Sequence, residues 1–361
     1  MIFTFILYNF ILIFGTLFAY MSTLIKEIRG KKLFVILSFL TLFVPAALRY
    51  GVGTDYLGYE SIFNEILYTG SIEKTEPFYG LLNQLVIFFN GSFHWVIVLS
   101  SFLTFVFVYK GVVHSKQIFL TVLLFVLLLY LYAFSTVRQS VAIVISMFAT
   151  FRLFNDDKAL KFVFCILLGA MFHYSALLML LVLPFRKLKI NLLFGLGILV
   201  VFFFLGKFLS TSMLNSPLLE ATKYGGYASN KFGEETEIGS GLGVFLNILP
   251  VLIVMTLVGW RFEDGREKFF LFNLGLIYLL TKILALNIHI LGRINEVFGF
   301  VPIILIVYFV QIETSLRLKR ITLFFCIFCY LILFEKDIAV NTIDIGGGLG
   351  ISPYVSIFSL I

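Results

Sequence analysis

Apolar runs and short polar gaps alternate along this chain from one end to the other. The apolar stretches fall at 2–20, 33–48, 93–109, 118–134, 139–153, 161–185, 190–205, 241–260, 269–288, 294–310 and 321–334. A helical membrane crossing needs about 20 residues, with ~17 as a lower limit. The pattern therefore predicts an all-α, polytopic membrane protein with about 10–12 transmembrane helices, some of them re-entrant or broken. One further run, "FYGLLNQLVIFFN" at 78–90, is too short to cross and stops at Asn90-Gly91. It is expected as an outer-face or re-entrant helix.

The gaps carry the charge. Lys26/Arg29/Lys31/Lys32, Lys110/Lys116, Arg152/Lys158/Lys161, Arg186/Lys187/Lys189, Arg261/Arg266/Lys268 and Arg317/Lys319/Arg320 hold 18 of the 27 basic residues. Cytoplasmic loops are the ones enriched in Lys and Arg, so these six clusters are expected inside and both termini outside. That arrangement sets one condition: the 161–185 run must enter and leave on the same side. It is therefore expected to turn, as a pair of spans or a broken helix, at "MFHYSA" around His173. Three long polar segments, 49–77, 206–240 and 335–361, then fall on the outer face as loops or interfacial helices of a single transmembrane domain, 1–361.

Composition agrees. The chain is 60% hydrophobic, 18% aromatic and only 13% charged, with mean hydropathy +1.04, whereas a soluble domain carries about 25% charged residues. The net charge of +7 lies in the loop clusters, which excludes a nucleic-acid surface as its explanation. The first run has no basic residue before it and no small-residue cleavage site, so a retained span is expected. Cys165, Cys326 and Cys329 lie inside apolar runs. The C-x-x-C they include lacks a second ligand pair for zinc, and buried thiols are expected.

Against this background, polar groups on the outer side stand out. "LRYGVGTDYLGYESIF" at 48–63 packs Arg49, Asp55, three tyrosines and Glu60 around a glycine turn. Tyr56, Tyr59, Ile62, Phe63, Ile66 and Leu67 recur at helical spacing, as in an amphipathic helix in the interface. That helix has no need of Arg49 or Asp55, and a charge near the membrane core costs ~2.5–3.5 kcal/mol unless paired or wet. "AFSTVRQSVAIVIS" leaves Arg138-Gln139 almost no loop, so Arg138 is expected to face the protein interior rather than snorkel. His173, beside Tyr174 and Ser175, is either a satisfied core histidine or a proton acceptor near neutral pH. Arg293 and Glu296, three apart, can pair along one helical turn. Glu235 and Glu237 read as a solvated acidic loop, and the late "IGGGLG" lacks the Lys-Ser/Thr of a phosphate loop.

Taken in order, "LRYGVGTDYLGY", "EPFYGLLN", "FSTVRQSVAI", "FHYSALL", "LGRINEVFGFVPII" and "ISPYVSI" resemble the EpsG family, Wzy-like polysaccharide polymerases, over nearly the whole chain. The resemblance marks Arg49, Gly53, Asp55, Tyr59, Glu76, Arg138, Gln139, His173 and Arg293 as pattern positions. It implies a GT-C-type glycosyltransferase in the bacterial cytoplasmic membrane. Such an enzyme joins undecaprenyl-diphosphate-linked oligosaccharide units at the outer face, with membrane lipid, a chain-length regulator and a flippase as partners. In that reaction Arg138, Arg293 and Arg49 are the candidates to hold diphosphate, because guanidinium donates in a bidentate fork and stays charged. His173 or Asp55 is the candidate base for the acceptor hydroxyl. Tyr56, Tyr59, Glu76 and Gln139 are candidate substrate contacts, and Phe78 is a candidate to stack on sugar. The chain has no Asp-x-Asp pair, so no metal or other cofactor is expected. The alternative reading is a transporter or flippase of the same lipid-linked glycan, although no internal repeat of the kind transporters often carry is evident.

Overall fold

The structure, a computed structural model, describes residues 2–214, 241–287, 289–340, 342 and 348–360. Among them no β-strand occurs, only isolated bridges between Arg49 and Ser356 and between Thr342 and Ser352. The helices are α1 Ile2–Leu24, α2 Ile28–Leu48, α3 Tyr56–Thr69, α4 Pro77–Phe88, α5 Phe93–Ser115, α6 Ile118–Phe125, α7 Tyr132–Ser135, α8 Val137–Asp156, α9 Ala159–Ala170, α10 Val182–Phe185, α11 Leu192–Leu214, α12 Leu242–Arg261, α13 Arg266–Ala285, α14 His289–Val297, α15 Val301–Ile312 and α16 Leu316–Val340. A π-helical turn, Val126–Tyr130, joins α6 to α7, and 3₁₀ segments cover Tyr174–Leu181 and Ile357–Leu360. Seven of the described helical spans are long and apolar enough to cross a membrane, and five shorter apolar helices accompany them. The protein is an all-α polytopic membrane protein.

The helices are sided as membrane helices are. On α1, Thr4, Tyr8, Gly15, Thr16, Ala19 and Ser22 point inward, while Phe3, Ile6, Phe10, Ile13 and Leu17 are exposed. Lipid is as apolar as leucine, so helices associate through small residues and hydrogen bonds rather than through a hydrophobic drive. Gly15 accordingly lets Leu42 approach so closely that a Cβ would lie 3.2 Å from its Cδ2, and Ser38 donates to the Gly15 carbonyl at 2.6 Å.

Helix ends follow local chemistry. Gly70, Lys116 and Asp157 close α3, α5 and α8 in the left-handed conformation. Pro77 opens α4 at its first position, where its missing N–H costs nothing. The 161–185 run breaks where its polar residues cluster: α9 stops at Ala170, Met171 and Phe172 turn, and a 3₁₀ segment begins at Tyr174. Two helices outrun their apolar stretches. α11 continues to Leu214 and α16 to Val340, so the segments beginning at 206 and 335 start inside helices. Glu335, Lys336 and Asp337 end the apolar run but are compatible with helix, and Glu335 accepts a hydrogen bond from Asn9 at 3.3 Å. Glu235 and Glu237 lie outside the described residues.

The chain forms two compact units. The first comprises residues 1–177 and 330–361. Its central helix is α8, 89% buried over its membrane span and packed against α5 and α9. The second comprises residues 178–329 and is built on α13, which packs against α11, α12, α14 and α15.

Candidate active site

Eight of the nine pattern positions lie in the first unit, and Arg293 lies in the second. The eight gather around the ends of α2 and α9 and the starts of α3, α4 and α8. The basic clusters of this unit mark the opposite helix ends, where Asn155 of α8 donates to His114 O of α5 at 2.8 Å.

The 49–54 turn is fastened on two sides. Gly53 has φ +111°, and a Cβ there would stand 2.1 Å from the Phe134 carbonyl oxygen; only glycine fits both the angle and the space. Its N–H donates to Gly350 O at 2.8 Å, Thr54 N–H to Leu349 O at 3.1 Å, and Tyr50 N–H to Val355 O at 2.9 Å. The end of "IGGGLG" and the "ISPYVSI" that follows it thus strap the turn. Tyr354 donates its hydroxyl to Pro45 O at 2.8 Å, and Tyr8 donates to Ile351 O at 2.9 Å. Burial pushes the Tyr354 phenol up to about 12, so it stays a neutral donor at physiological pH.

Beneath this strap Arg49 is 1% exposed. Its guanidinium donates to the Ala46 carbonyl and to Ser101 Oγ at 3.1 Å, and lies 4.8 Å over the Phe134 ring. It is enclosed by protein.

Arg138, at the start of α8, is held differently. Its Nη1 donates to Glu76 Oε2 at 2.6 Å and to Thr75 Oγ1 at 3.2 Å. The Tyr59 and Tyr79 rings lie 5.4 and 5.5 Å from its guanidinium carbon. The Glu76 side chain is 5% exposed and that of Arg138 22%, so the cation keeps an accessible edge while the carboxylate is enclosed. Arg138 faces protein, as its tight turn led one to expect. Next to it, buried Gln139 accepts from the Tyr132 hydroxyl at 3.2 Å.

α4 connects this pair to the break after α9. Two residues beyond Glu76, Phe78 N–H donates to Met171 O at 2.9 Å, and the Phe78 and Phe172 rings meet edge to face at 5.7 Å. Phe78 therefore packs on protein. His173 follows, half-buried, with Nδ1 2.6 Å from Ser175 Oγ. Asp55 occupies the N-cap of α3, half-buried. The buried face of α3 is Tyr56, Tyr59, Phe63 and Ile66, and the first three join Tyr79 and Phe93 in one core cluster. Its tyrosines thus meet protein, and only its other face, with Leu57 and Tyr68, is exposed.

The pattern alone did not single out Thr75, Tyr79, Ser101, Phe134 or Tyr354. Pro77 was the usable signal for Thr75, since proline marks a helix start and so puts Thr75 and Glu76 at its mouth. The others are ordinary apolar or hydroxyl residues whose partners lie far away in sequence.

In the second unit, Arg293 on α14 has its Nε 4.0 Å from Glu296 Oε2, the pairing that their spacing suggests. Asn295 anchors that helix to α13, donating to Thr281 Oγ1 at 3.1 Å and Tyr278 O at 3.4 Å. Farther along, Arg261 grips Glu313 bidentately at 2.8 and 3.0 Å. That hydrogen-bonded guanidinium holds the Glu313 carboxyl down to about 2.

The family model for the EpsG family matches residues 32–356, nearly the whole chain. The chain belongs to the EpsG family. Membership makes this EpsG-family protein a membrane protein of polysaccharide biosynthesis, with glycosyl transfer of the polymerase type as its coarse activity. No curated protein and no solved structure matches it.

Proposed function

We propose that this EpsG-family protein polymerises oligosaccharide units carried on a polyprenyl diphosphate, undecaprenyl diphosphate in bacteria, at the outer face of the cytoplasmic membrane. The carrying observation is the Arg138–Glu76 pair at 2.6 Å with the arginine's edge left exposed. An enclosed carboxylate fixes a guanidinium whose remaining surface is offered to a ligand. Preorganised cations lower a barrier when they stand where charge develops, and in this reaction it develops on the departing diphosphate.

In the reaction the acceptor hydroxyl oxygen bonds to the anomeric carbon of the donor sugar. The bond from that carbon to the diphosphate oxygen breaks, and the electron pair leaves with the diphosphate. The hydroxyl proton passes to His173, whose Nδ1–Ser175 contact orients the ring so that Nε2 serves as the base. Asp55 orients sugar hydroxyls. Arg138 holds diphosphate oxygens, and Arg49, enclosed as it is, positions the turn that carries Asp55. Tyr56, Tyr59 and Gln139 are buried and support the guanidinium's surroundings. The architecture is of the GT-C type and the reaction independent of metal.

The test is purified protein in vesicles with one defined lipid-linked repeat unit. A ladder of glycan lengths supports the proposal. Movement of the unit across the bilayer without elongation supports a flippase instead.

A further inference from the structure

Within the second unit, α11, α12 and α13 leave a groove of about 510 Å³. Leu199 and Phe203 of α11, Ile248 and Leu252 of α12, and Leu279 and Ile283 of α13 line it, and every lining residue is apolar. One end of the groove is plugged. A Cβ on Gly195 would stand 2.5 Å from Phe272 Cζ, and one on Gly259 2.9 Å from its Cε2, so the three helices close on that ring. This plug lies toward the Arg261/Arg266 loop that joins α12 to α13.

The other end is polar. Lys282 lies three residues after Leu279 and four before Leu286, both groove-lining, so by helical spacing its stem shares their face. Asn287 approaches α11 at Gly206, where a Cβ would be 3.1 Å from its Nδ2. α14, which bears Arg293, is anchored beside Thr281 through Asn295.

We infer that this groove receives the polyprenyl tail of the lipid-linked diphosphate, its isoprene units nearest the head group lying against α11–α13. Lys282 and Arg293 then stand toward the head group. The inference rests on the function proposed above. A wall lined only by apolar side chains suits an unbroken hydrocarbon, and cations beyond its open end suit an anionic head. The bilayer is as apolar as the groove, so occupancy gains little from the hydrophobic effect. Its benefit is fit and orientation: a tail laid in a fixed channel presents the diphosphate in one place.

Two measurements test this on the full-length protein in vesicles. In the first, p-benzoylphenylalanine replaces Leu252, and phospholipid vesicles contain a few mole per cent of radiolabelled polyprenyl diphosphate. Photo-crosslinking enriched in the polyprenyl lipid above its mole fraction supports the inference. Crosslinks distributed in proportion to lipid composition overturn it, because the groove then holds ordinary acyl chains. In the second, Ile248→Trp fills the groove. KM for the long-tailed substrate is expected to rise by ~10-fold or more, in the range that pocket-filling and methylene-scale changes produce. A short-tailed, water-soluble analogue should be used as well as by wild type. Equal effects on both substrates overturn the inference. The crosslinking readout does not require polymerisation, so polyprenyl capture without any glycan ladder would refute the proposed function and leave the groove assignment standing.

Discussion

Arg138 Nη1 and Glu76 Oε2 lie 2.6 Å apart, joining the start of α8 to the N-cap of α4 across 62 residues of sequence. The carboxylate is the enclosed partner and the arginine the partly wet one. Removing either leaves the other charge uncompensated, and truncating one member of a buried hydrogen-bonded pair costs roughly 2–5 kcal/mol. Glu76→Gln is expected at the low end, about 2 kcal/mol, because Arg138 keeps water at its edge. Thermal unfolding in detergent, with and without Arg138→Gln in the same chain, measures the coupling. The double variant should be less destabilised than the sum of the singles.

Gly53 and Gly51 make a matched pair for backbone strain. Both have positive φ, but a Cβ at Gly51 meets nothing within 4 Å, whereas one at Gly53 would collide with the Phe134 carbonyl. Gly51→Ala should cost ~1–2 kcal/mol for the left-handed conformation alone. Gly53→Ala should lower the yield of folded protein sharply, because two backbone segments must separate to admit the methyl. Size-exclusion profiles and melting temperatures of the two variants compare them directly. Equal behaviour would show that the 53–134 contact does not constrain the fold.

Glu313 gives a pH signature in the second unit. Its carboxyl is held at about 2 by Arg261, below the ~4.3 of an unperturbed glutamate. A depressed folded value means that the pair's stabilisation is fully present above the unfolded value and is lost as pH falls through the folded one. Melting temperature should therefore decline from about pH 4.5 toward pH 2 more steeply in wild type than in Glu313→Gln. Parallel curves would remove the pair from the acid response.

Orientation is tested by reporter fusions after residues 112 and 188. Both follow or interrupt basic clusters, and both should report the cytoplasm under the positive-inside bias. A reporter outside at 188 but inside at 112 would mean that the break at 171–173 does not return the chain to its starting side. The candidate site would then need a new assignment of faces.

Much of the membrane architecture was legible because hydropathy is a local property: the helical runs, the short α4 and the break near His173 all follow from neighbouring residues. What escaped is non-local. α16 runs past its apolar stretch to Val340 because helix tolerates Glu335–Asp337 where an apolar count does not. Arg49 reads in sequence as a charge near the outer end of a span and a candidate to hold diphosphate, yet it is enclosed because residues 348–356 lie across it, some 300 residues away. The Arg293–Glu296 spacing, by contrast, was readable, since both residues belong to one helix.

The central claim is that a preorganised guanidinium at position 138 stabilises the departing diphosphate, and one measurement addresses it most directly. The rate of glycan elongation from a defined lipid-linked unit is compared between wild type and Arg138→Lys. The substitution keeps the charge beside Glu76 and so preserves the fold, but loses the bidentate fork. With melting temperature unchanged, elongation should fall by about 10²–10³, the loss typical of removing one preorganised donor. Elongation at the wild-type rate in a folded Arg138→Lys protein would contradict the account.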